Sequence, residues 1–176
     1  MSQKETAVAI LGLALIIASP ICAQQSATPS PLDVVPEKMP FDVPYGAPIS
    51  LERALAVITA SVAEAKRRNW KMIVAVVDPG GNLVAFERMD GAQLASIQIA
   101  EHKARAAAAF RRETKVWENA VQLNKFTYQM TLDGVIAVRG GIPLIEHGTI
   151  IGAIGCSGGA SSQDELVCKA GVGAIK

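Results

Sequence analysis

The segment KMIVAVVDPGGNLVAFERM (residues 71–89) decides the fold. Two apolar runs, Lys71 to Val77 and Asn82 to Met89, flank the turn Asp78-Pro79-Gly80-Gly81. Short runs rich in β-branched residues on either side of a glycine-containing turn predict a β-hairpin. An antiparallel sheet is therefore expected to begin here.

Helices are predicted on both sides of this hairpin. Before it, Ser50 is placed to cap an amphipathic helix. The apolar residues that recur on one face of that helix are Leu51, Leu55, Ile58, Val62 and Ala65. After the hairpin, Ala95 to Phe110 has neither glycine nor proline and predicts a second helix, with a shorter helical segment from Arg111 to Gln122.

The last part of the chain returns to strands and closes with a helix. Three short apolar runs, separated by glycine-containing turns, predict strands over Val135 to Val138, Ile142 to Glu146 and Thr149 to Cys156. A Gly/Ser loop and a helix from Asp164 to Lys176 follow. The order α, ββ, αα, βββ, α predicts an α+β fold with one five-stranded antiparallel sheet flanked by helices, and it disfavours a Rossmann fold.

The N-terminus has the features of an export signal. Lys4 precedes an almost wholly apolar run from Thr6 to Ala18, and small residues follow up to Ala23. We expect a signal peptide over residues 1–23 and a periplasmic or secreted mature protein without a stable membrane span. The apolar run is shorter than the about 20 residues that cross a bilayer, so a retained anchor and lipidation at Cys22 are the weaker alternatives.

A proline-rich leader and one domain are expected after the signal. Residues 24–48 hold six of the nine prolines and have no helical or strand period. They predict an extended leader, which either packs through Phe41, Val43 and Tyr45 on the domain or on a second subunit, or forms a disordered tether. The domain itself is expected over residues 49–176.

Charge and cysteine content limit the function classes. The chain has 17 Lys and Arg against 16 Asp and Glu, so it lacks the basic excess that phosphate backbones require, and no nucleic acid partner is expected. The mature chain keeps Cys156 and Cys168. We expect them to be buried free thiols, with a disulfide in an oxidising compartment as the alternative.

Four separated motifs carry a resemblance to a known family. They are VVDPGGNL (76–83), MDGA (89–92) running through Ser96 to Lys103-Ala104-Arg105, GGIPL (140–144), and GAIGCSGG (152–159) followed by Gln163-Asp164-Glu165. In this order and spacing the chain resembles the GlcG/HbpS family of haem-binding and haem-degrading-like domains, related to the C-terminal domain of PduO. The resemblance implies a PAS/profilin-like sheet flanked by helices in a self-associating protein, so a homo-oligomer is expected. Cys156 departs from the family pattern, which usually has an aliphatic residue there.

The residues that suit a haem iron are few. His, Met, Cys and Tyr side chains hold haem iron, and the mature chain has only His102 and His147 as imidazoles. His102 is the favoured ligand, because a helix fixes its direction and the adjoining Lys103 suits a propionate; the alternative is a surface histidine beside a solvated lysine. His147 is second, in a predicted turn where a polar residue is expected in any case. The other axial candidates, each more often a core residue, are Met89, Met130 and Tyr128.

A polar pocket is predicted around the second helix. Ser96 and Lys103 are seven residues apart and so lie on one helical stripe, and Asp90 is just upstream. We expect these three residues to line a site for a polar ligand, with helix capping and solvation as the alternative.

Two further features predict anion binding. Ser157, Gly158 and Gly159 form a turn that opens a helix, where backbone N–H groups can hold a carboxylate or propionate. Arg139 is a possible bidentate anion clamp, because a guanidinium matches a carboxylate. The alternatives are a plain strand-to-helix connection and an arginine in water.

The leading functional prediction is an exported haem-binding protein that serves in scavenging, storage or sensing. The resemblance also admits haem degradation, but the sequence shows no paired acid and base, so binding is expected rather than turnover. The competing prediction is a binding protein or enzyme for a small carboxylate metabolite without haem. A structural subunit without a ligand is the third.

Overall fold

A computed structural model describes residues 33–175 of the chain, which fall into two compact units. The first unit ends at Glu37, and its described residues, 33–37, are exposed. The second begins at Lys38 and contains every helix and strand named below. The predicted signal peptide and leader residues 24–32 lie outside the described residues. No helix within residues 33–175 has the length and apolarity of a membrane span.

Four antiparallel strands form one sheet in the order β2-β1-β4-β3. The strands are β1 Ile73–Val77, β2 Leu83–Arg88, β3 Gly141–Glu146 and β4 Thr149–Ser157. The predicted hairpin is confirmed as β1 and β2, and the Asp78 carboxylate holds its turn by accepting the Asn82 backbone N–H at 2.9 Å. The two central strands, β1 and β4, are nearly all buried.

The helices are α1 Leu51–Arg67, α2 Ser96–Ala109, α3 Lys115–Gln122 and α4 Ser161–Val172. Ser50 caps α1 as predicted, since its side-chain oxygen accepts the Arg53 backbone N–H. Short 3-10 helices lie at Thr127–Thr131 and, directly after α4, at Gly173–Ile175. The buried face of α1 differs from the prediction, because Leu51 and Leu55 are about half exposed.

The sheet has a helical layer on each face. Val74 and Val76 point into the larger core, which they share with α1 and α4. Ile73, Ala75 and Val77 point into the opposite core, which they share with the alanines of α2. Gly155 lets α2 lie directly on β4, because a Cβ there would overlap the Ala100 carbonyl oxygen. The small side chains of α2 and β4 therefore set the distance between helix and sheet.

The fifth predicted strand is absent from the described residues. Val135 to Val138 forms bends and coil, with positive φ angles at Gly134 and Gly140 on either side. The Val135 N–H instead donates locally, to the Leu132 carbonyl at 3.3 Å. Just after the segment, the Arg139 N–H donates to the Glu118 carboxylate of α3 at 2.8 Å. These bonds replace a strand ladder, so apolar composition alone misled the prediction.

Part of the leader packs on the domain. The Ile150 N–H donates to the Pro44 carbonyl at 2.8 Å, and the Gly46 N–H donates to the Ile150 carbonyl at 2.8 Å. The Tyr45 hydroxyl donates to the carbonyl oxygens of Ala108 and Ala109 at 3.1 and 3.0 Å, at the end of α2. Tyr45 thus forms a single parallel bridge with Ile150 of β4, which agrees with the alternative in which the leader packs on the domain.

Candidate functional site

Lys103 lies on the sheet-facing side of α2 and is fully buried. Its Nζ donates to Asp164 Oδ2 at 2.7 Å and to the Cys156 carbonyl oxygen at 3.1 Å. Contrary to the prediction, the ammonium is therefore not at the helix surface, where a propionate could meet it. It joins α2 to the start of α4 and to the end of β4.

The glycine turn serves the same ion pair. The Gly159 N–H donates to Asp164 Oδ1 at 3.1 Å. The anion in the predicted anion-binding turn is thus a side chain of the protein itself. Asp164 was missed as a site residue, because its place in the first turn of a helix already explained an acidic residue there.

Burial dominates the protonation of this pair. It lowers the pKa of the Lys103 ammonium and raises the pKa of the Asp164 carboxyl, and the opposite charge of each partner opposes the shift. Because neither group meets water, each depends on the other and on the backbone bonds around it. The pair is suited to holding the fold and is closed to a ligand from solvent.

Ser96 and Ser157 meet in the interior beside this pair. The Ser157 hydroxyl donates to the Ser96 oxygen at 3.0 Å, and the Gln93 side-chain amide donates to the same oxygen at 2.9 Å. Both serines are buried. The structure thus brings together Ser96, Lys103 and the glycine turn, as expected from the helical stripe, but in a closed polar cluster.

Arg139 is held by carboxylates of the protein. Its Nε donates to Glu118 Oε1 at 2.6 Å, and its Nη1 donates to Glu165 Oε2 at 3.2 Å. The hydrogen bond that Arg139 donates to Glu118 is the main reason why the pKa of its guanidinium is raised above the usual range. Lys115 and Lys169 also contact Glu165, so this is a network of internal ion pairs and not the free anion clamp that was predicted.

The two histidines lie in different settings. His102 is partly buried on the outer side of α2, and its Nε2 is 3.2 Å from the Gly134 carbonyl oxygen, to which it can donate. His147 is exposed, with a φ of 48°, in the turn between β3 and β4. β4 runs from Thr149 to Ser157, a length of about 26 Å at ~3.3 Å per residue. His147 precedes the first residue of this strand, whereas the polar cluster lies at its last residue.

Asp90 is separated from Lys103. It lines an open cleft together with Lys66, Lys71, Glu87, Arg88 and Met89, whereas Lys103 is enclosed. The three residues of the predicted pocket therefore lie in two separate sites: Asp90 in an open cleft, and Ser96 and Lys103 in a buried polar cluster.

Cys156 and Cys168 form a disulfide that links the end of β4 to α4. Both residues are fully buried. The expected free thiols are thus wrong, and the alternative pairing holds. The bond joins residues that are 12 positions apart in sequence, and the loop that it closes contains the glycine turn and Asp164. Within residues 33–175, no three His, Cys, Asp or Glu side chains gather as a metal site requires.

Comparison with known proteins assigns the fold to a family. A family profile described as "Haem degrading protein HbpS-like" matches residues 49–173. The chain belongs to the HbpS-like family. Protein GlcG of Escherichia coli K12 is 41% identical over 109 residues, which are 62% of this chain and 81% of GlcG. The predicted family is therefore confirmed.

Solved structures of HbpS-like proteins share the fold. The PduOC:heme complex is 28% identical with a TM-score of 0.68, covering 74% of this chain and 96% of PduOC. The structure of HbpS is 26% identical with a TM-score of 0.69, covering 79% of this chain and 98% of HbpS. The α+β fold with an antiparallel sheet flanked by helices is thus that of the HbpS-like family.

Proposed function

We propose that this HbpS-like protein binds haem or a related porphyrin at the surface where His102 meets Gly134. The observation that carries the proposal is the partly buried imidazole of His102, oriented by the Gly134 carbonyl at 3.2 Å. The family description names haem degradation, and the solved PduOC complex contains haem. Both support a porphyrin as the ligand.

The residues around His102 fit such a group. When bound, haem would supply an iron for a side-chain ligand, an apolar ring and two carboxylates. Donation from Nε2–H to Gly134 leaves the Nδ1 lone pair for a metal, and histidine ligands commonly carry a hydrogen bond on the other ring nitrogen. Tyr128, Met130 and Leu132, in the segment leading to Gly134, are each about half exposed and supply apolar surface.

Arg105 takes the propionate role that the sequence gave to Lys103. It lies three residues after His102, so both project from neighbouring positions on one side of α2. Its side chain is 50% exposed and is paired with Glu101 at 2.6 Å on the same surface. A guanidinium held in this way can donate to a second carboxylate at the rim of the site.

Binding is proposed in preference to turnover. The Lys103–Asp164 and Ser96–Ser157 pairs are buried, and the two members of each pair are hydrogen-bonded to each other. They therefore do not face the surface at His102. His102 itself contacts a backbone carbonyl and not an acidic partner. We therefore favour scavenging, storage or sensing of haem over its degradation.

Haemin titration tests the site. The wild-type protein should give a saturable Soret shift at stoichiometric ratio, and His102→Ala should weaken haemin binding by at least about tenfold, since a metal–ligand contact is lost. His147→Ala is the matched control, because it removes an imidazole from a distant turn. It should leave the affinity and the low-spin ferric spectrum unchanged.

If His102→Ala, His147→Ala and the double variant all keep the wild-type Soret band and affinity, imidazole ligation is wrong. Thermal stabilisation by small organic acids without any Soret shift would favour the competing carboxylate function.

We further propose that the protein is exported and acts as a homo-oligomer. The disulfide supports an oxidising compartment, because such bonds are rare in the cytosol. Intact-mass measurement of the exported protein should place its N-terminus near Gln24. Retention of Met1 in a membrane fraction, or a lipid mass on Cys22, would contradict export as a free protein, and a single-subunit mass in light scattering would contradict self-association.

A further inference from the structure

A cleft of about 320 Å³ opens at the end of the β1–β2 hairpin opposite its turn, where β1 begins and β2 ends. Its lining residues are Lys66, Lys71, Glu87, Arg88, Met89 and Asp90. Ligand pockets in proteins start at about 300 Å³, so the cleft has room for a small metabolite. None of its lining residues belongs to the proposed haem surface.

Three cationic side chains converge on this cleft from three elements. Lys66 is in the last turn of α1, Lys71 precedes β1, and Arg88 ends β2. Among the salt bridges of the described residues, none involves these three cations, whereas Arg105 and Arg139 are both paired. Positive charges that are brought together without partners provide an electrostatic site for an anion.

The backbone holds Lys71 in a fixed place. The Lys71 carbonyl oxygen lies so close to Gly158 that a Cβ at residue 158 would overlap it. The Lys71 side chain passes next to Gly91, where its Cγ would be 3.8 Å from a Cβ at residue 91. The Met89 N–H donates to the Met72 carbonyl at 3.0 Å and closes the hairpin at the cleft. The backbone around the cleft is therefore held by ordered elements, and the charged side chains of the lining extend from it into solvent.

Two acids complete the lining. Glu87 and Asp90 face the same cleft and, like the cations, take part in none of the salt bridges of the described residues. Carboxylates at a site for an anion repel it unless they accept a hydrogen bond from it. The mixed lining therefore favours an anion that also carries a donor group.

We propose that this cleft binds a small polyvalent oxyanion, carboxylate or phosphate, that carries a hydroxyl group. Lys66, Lys71 and Arg88 hold the oxyanion oxygens, and Glu87 and Asp90 accept the hydroxyl. The site stands independently of haem binding, because it shares no residue with the surface at His102.

Isothermal titration calorimetry at matched ionic strength tests the proposal with three probes: citrate, tricarballylate and inorganic phosphate. Citrate or phosphate should bind saturably, and the tighter of the two tells whether the source is a carboxylate or a phosphate. Citrate should bind more tightly than tricarballylate, which lacks only the hydroxyl. Equal affinity for these two would overturn the role of the acids.

Charge-matched variants make the result specific. Lys71→Gln and Arg88→Gln should each weaken binding by about tenfold or more, the effect of losing a charged hydrogen bond. Lys125→Gln removes the same charge from an exposed position and should leave the affinity unchanged. Absence of binding by all three probes, or equal weakening by Lys125→Gln, would overturn the site. Haemin titration of the same variants should match the wild type, so either proposal can fail alone.

Discussion

Lys103→Met should lower the free energy of unfolding by about 3–5 kcal/mol, as expected when one partner of a buried ion pair is removed. Methionine keeps the apolar stem that packs against the sheet, but the Asp164 carboxylate is left in the interior with only backbone donors. Urea denaturation followed by tryptophan fluorescence measures the loss. Lys125→Met, at an exposed position, should change stability by less than about 0.5 kcal/mol.

A second substitution separates charge from packing. Adding Asp164→Asn to Lys103→Met removes the unpaired buried charge and keeps an acceptor for the Gly159 N–H, so part of the lost stability should return. If Lys103→Met costs no more than Lys125→Met, the buried pair is not a main support of the fold. If the double variant is additive, the two groups do not act as a pair.

Loss of the disulfide should cost about 3 kcal/mol, the loop-entropy value for a sequence separation of 12. Cys156→Val/Cys168→Ala removes the bond and keeps an apolar side chain at both buried positions. Because both cysteines are buried, reductant should act on the unfolded protein and hardly on the folded one. Denaturation of the variant and of the wild type, with and without reductant, gives the comparison.

The reduced wild type is the matched control for that variant, and the two should unfold at nearly the same denaturant concentration. Thiol titration of the purified, unreduced protein should find neither Cys156 nor Cys168 reactive after denaturation. Two reactive thiols in the denatured protein would show that Cys156 and Cys168 are not bonded. The predicted loss of stability on removing the disulfide would then be wrong.

The hairpin and the helices were predictable because their signals are local. The run from Ile73 to Val77 and the Asp78 turn needed no information from elsewhere, and the Ser50 cap is likewise a matter of four residues. Val135 to Val138 has the same apolar character but makes no strand, because its backbone bonds to Leu132 and its neighbour Arg139 bonds to Glu118. The contact with Glu118 comes from α3, 21 residues earlier in the chain, and leaves no mark in the local sequence pattern.

The candidate site was predictable only in part, for the same reason. Periodicity placed Ser96 and Lys103 on one stripe of α2, but it did not tell which side of the helix faces the sheet. The small residues opposite, above all Gly155, admit α2 so closely that the stripe is sealed in and Lys103 needs an internal anion. Asp164 supplies it from a segment 61 residues away in sequence, and His102, next to Lys103, is turned outward.

The pairing of β1 with β4 has a consequence for the order of assembly. Ile73 pairs with Ser157 and Val77 with Ala153, so the two central strands are joined across most of the domain's sequence. A hairpin alone is marginally stable in water, and distant pairings slow folding because a long loop must close first. The β1–β2 hairpin therefore becomes part of a stable sheet only when β4 joins it, and we expect this long-range pairing to limit the rate of folding.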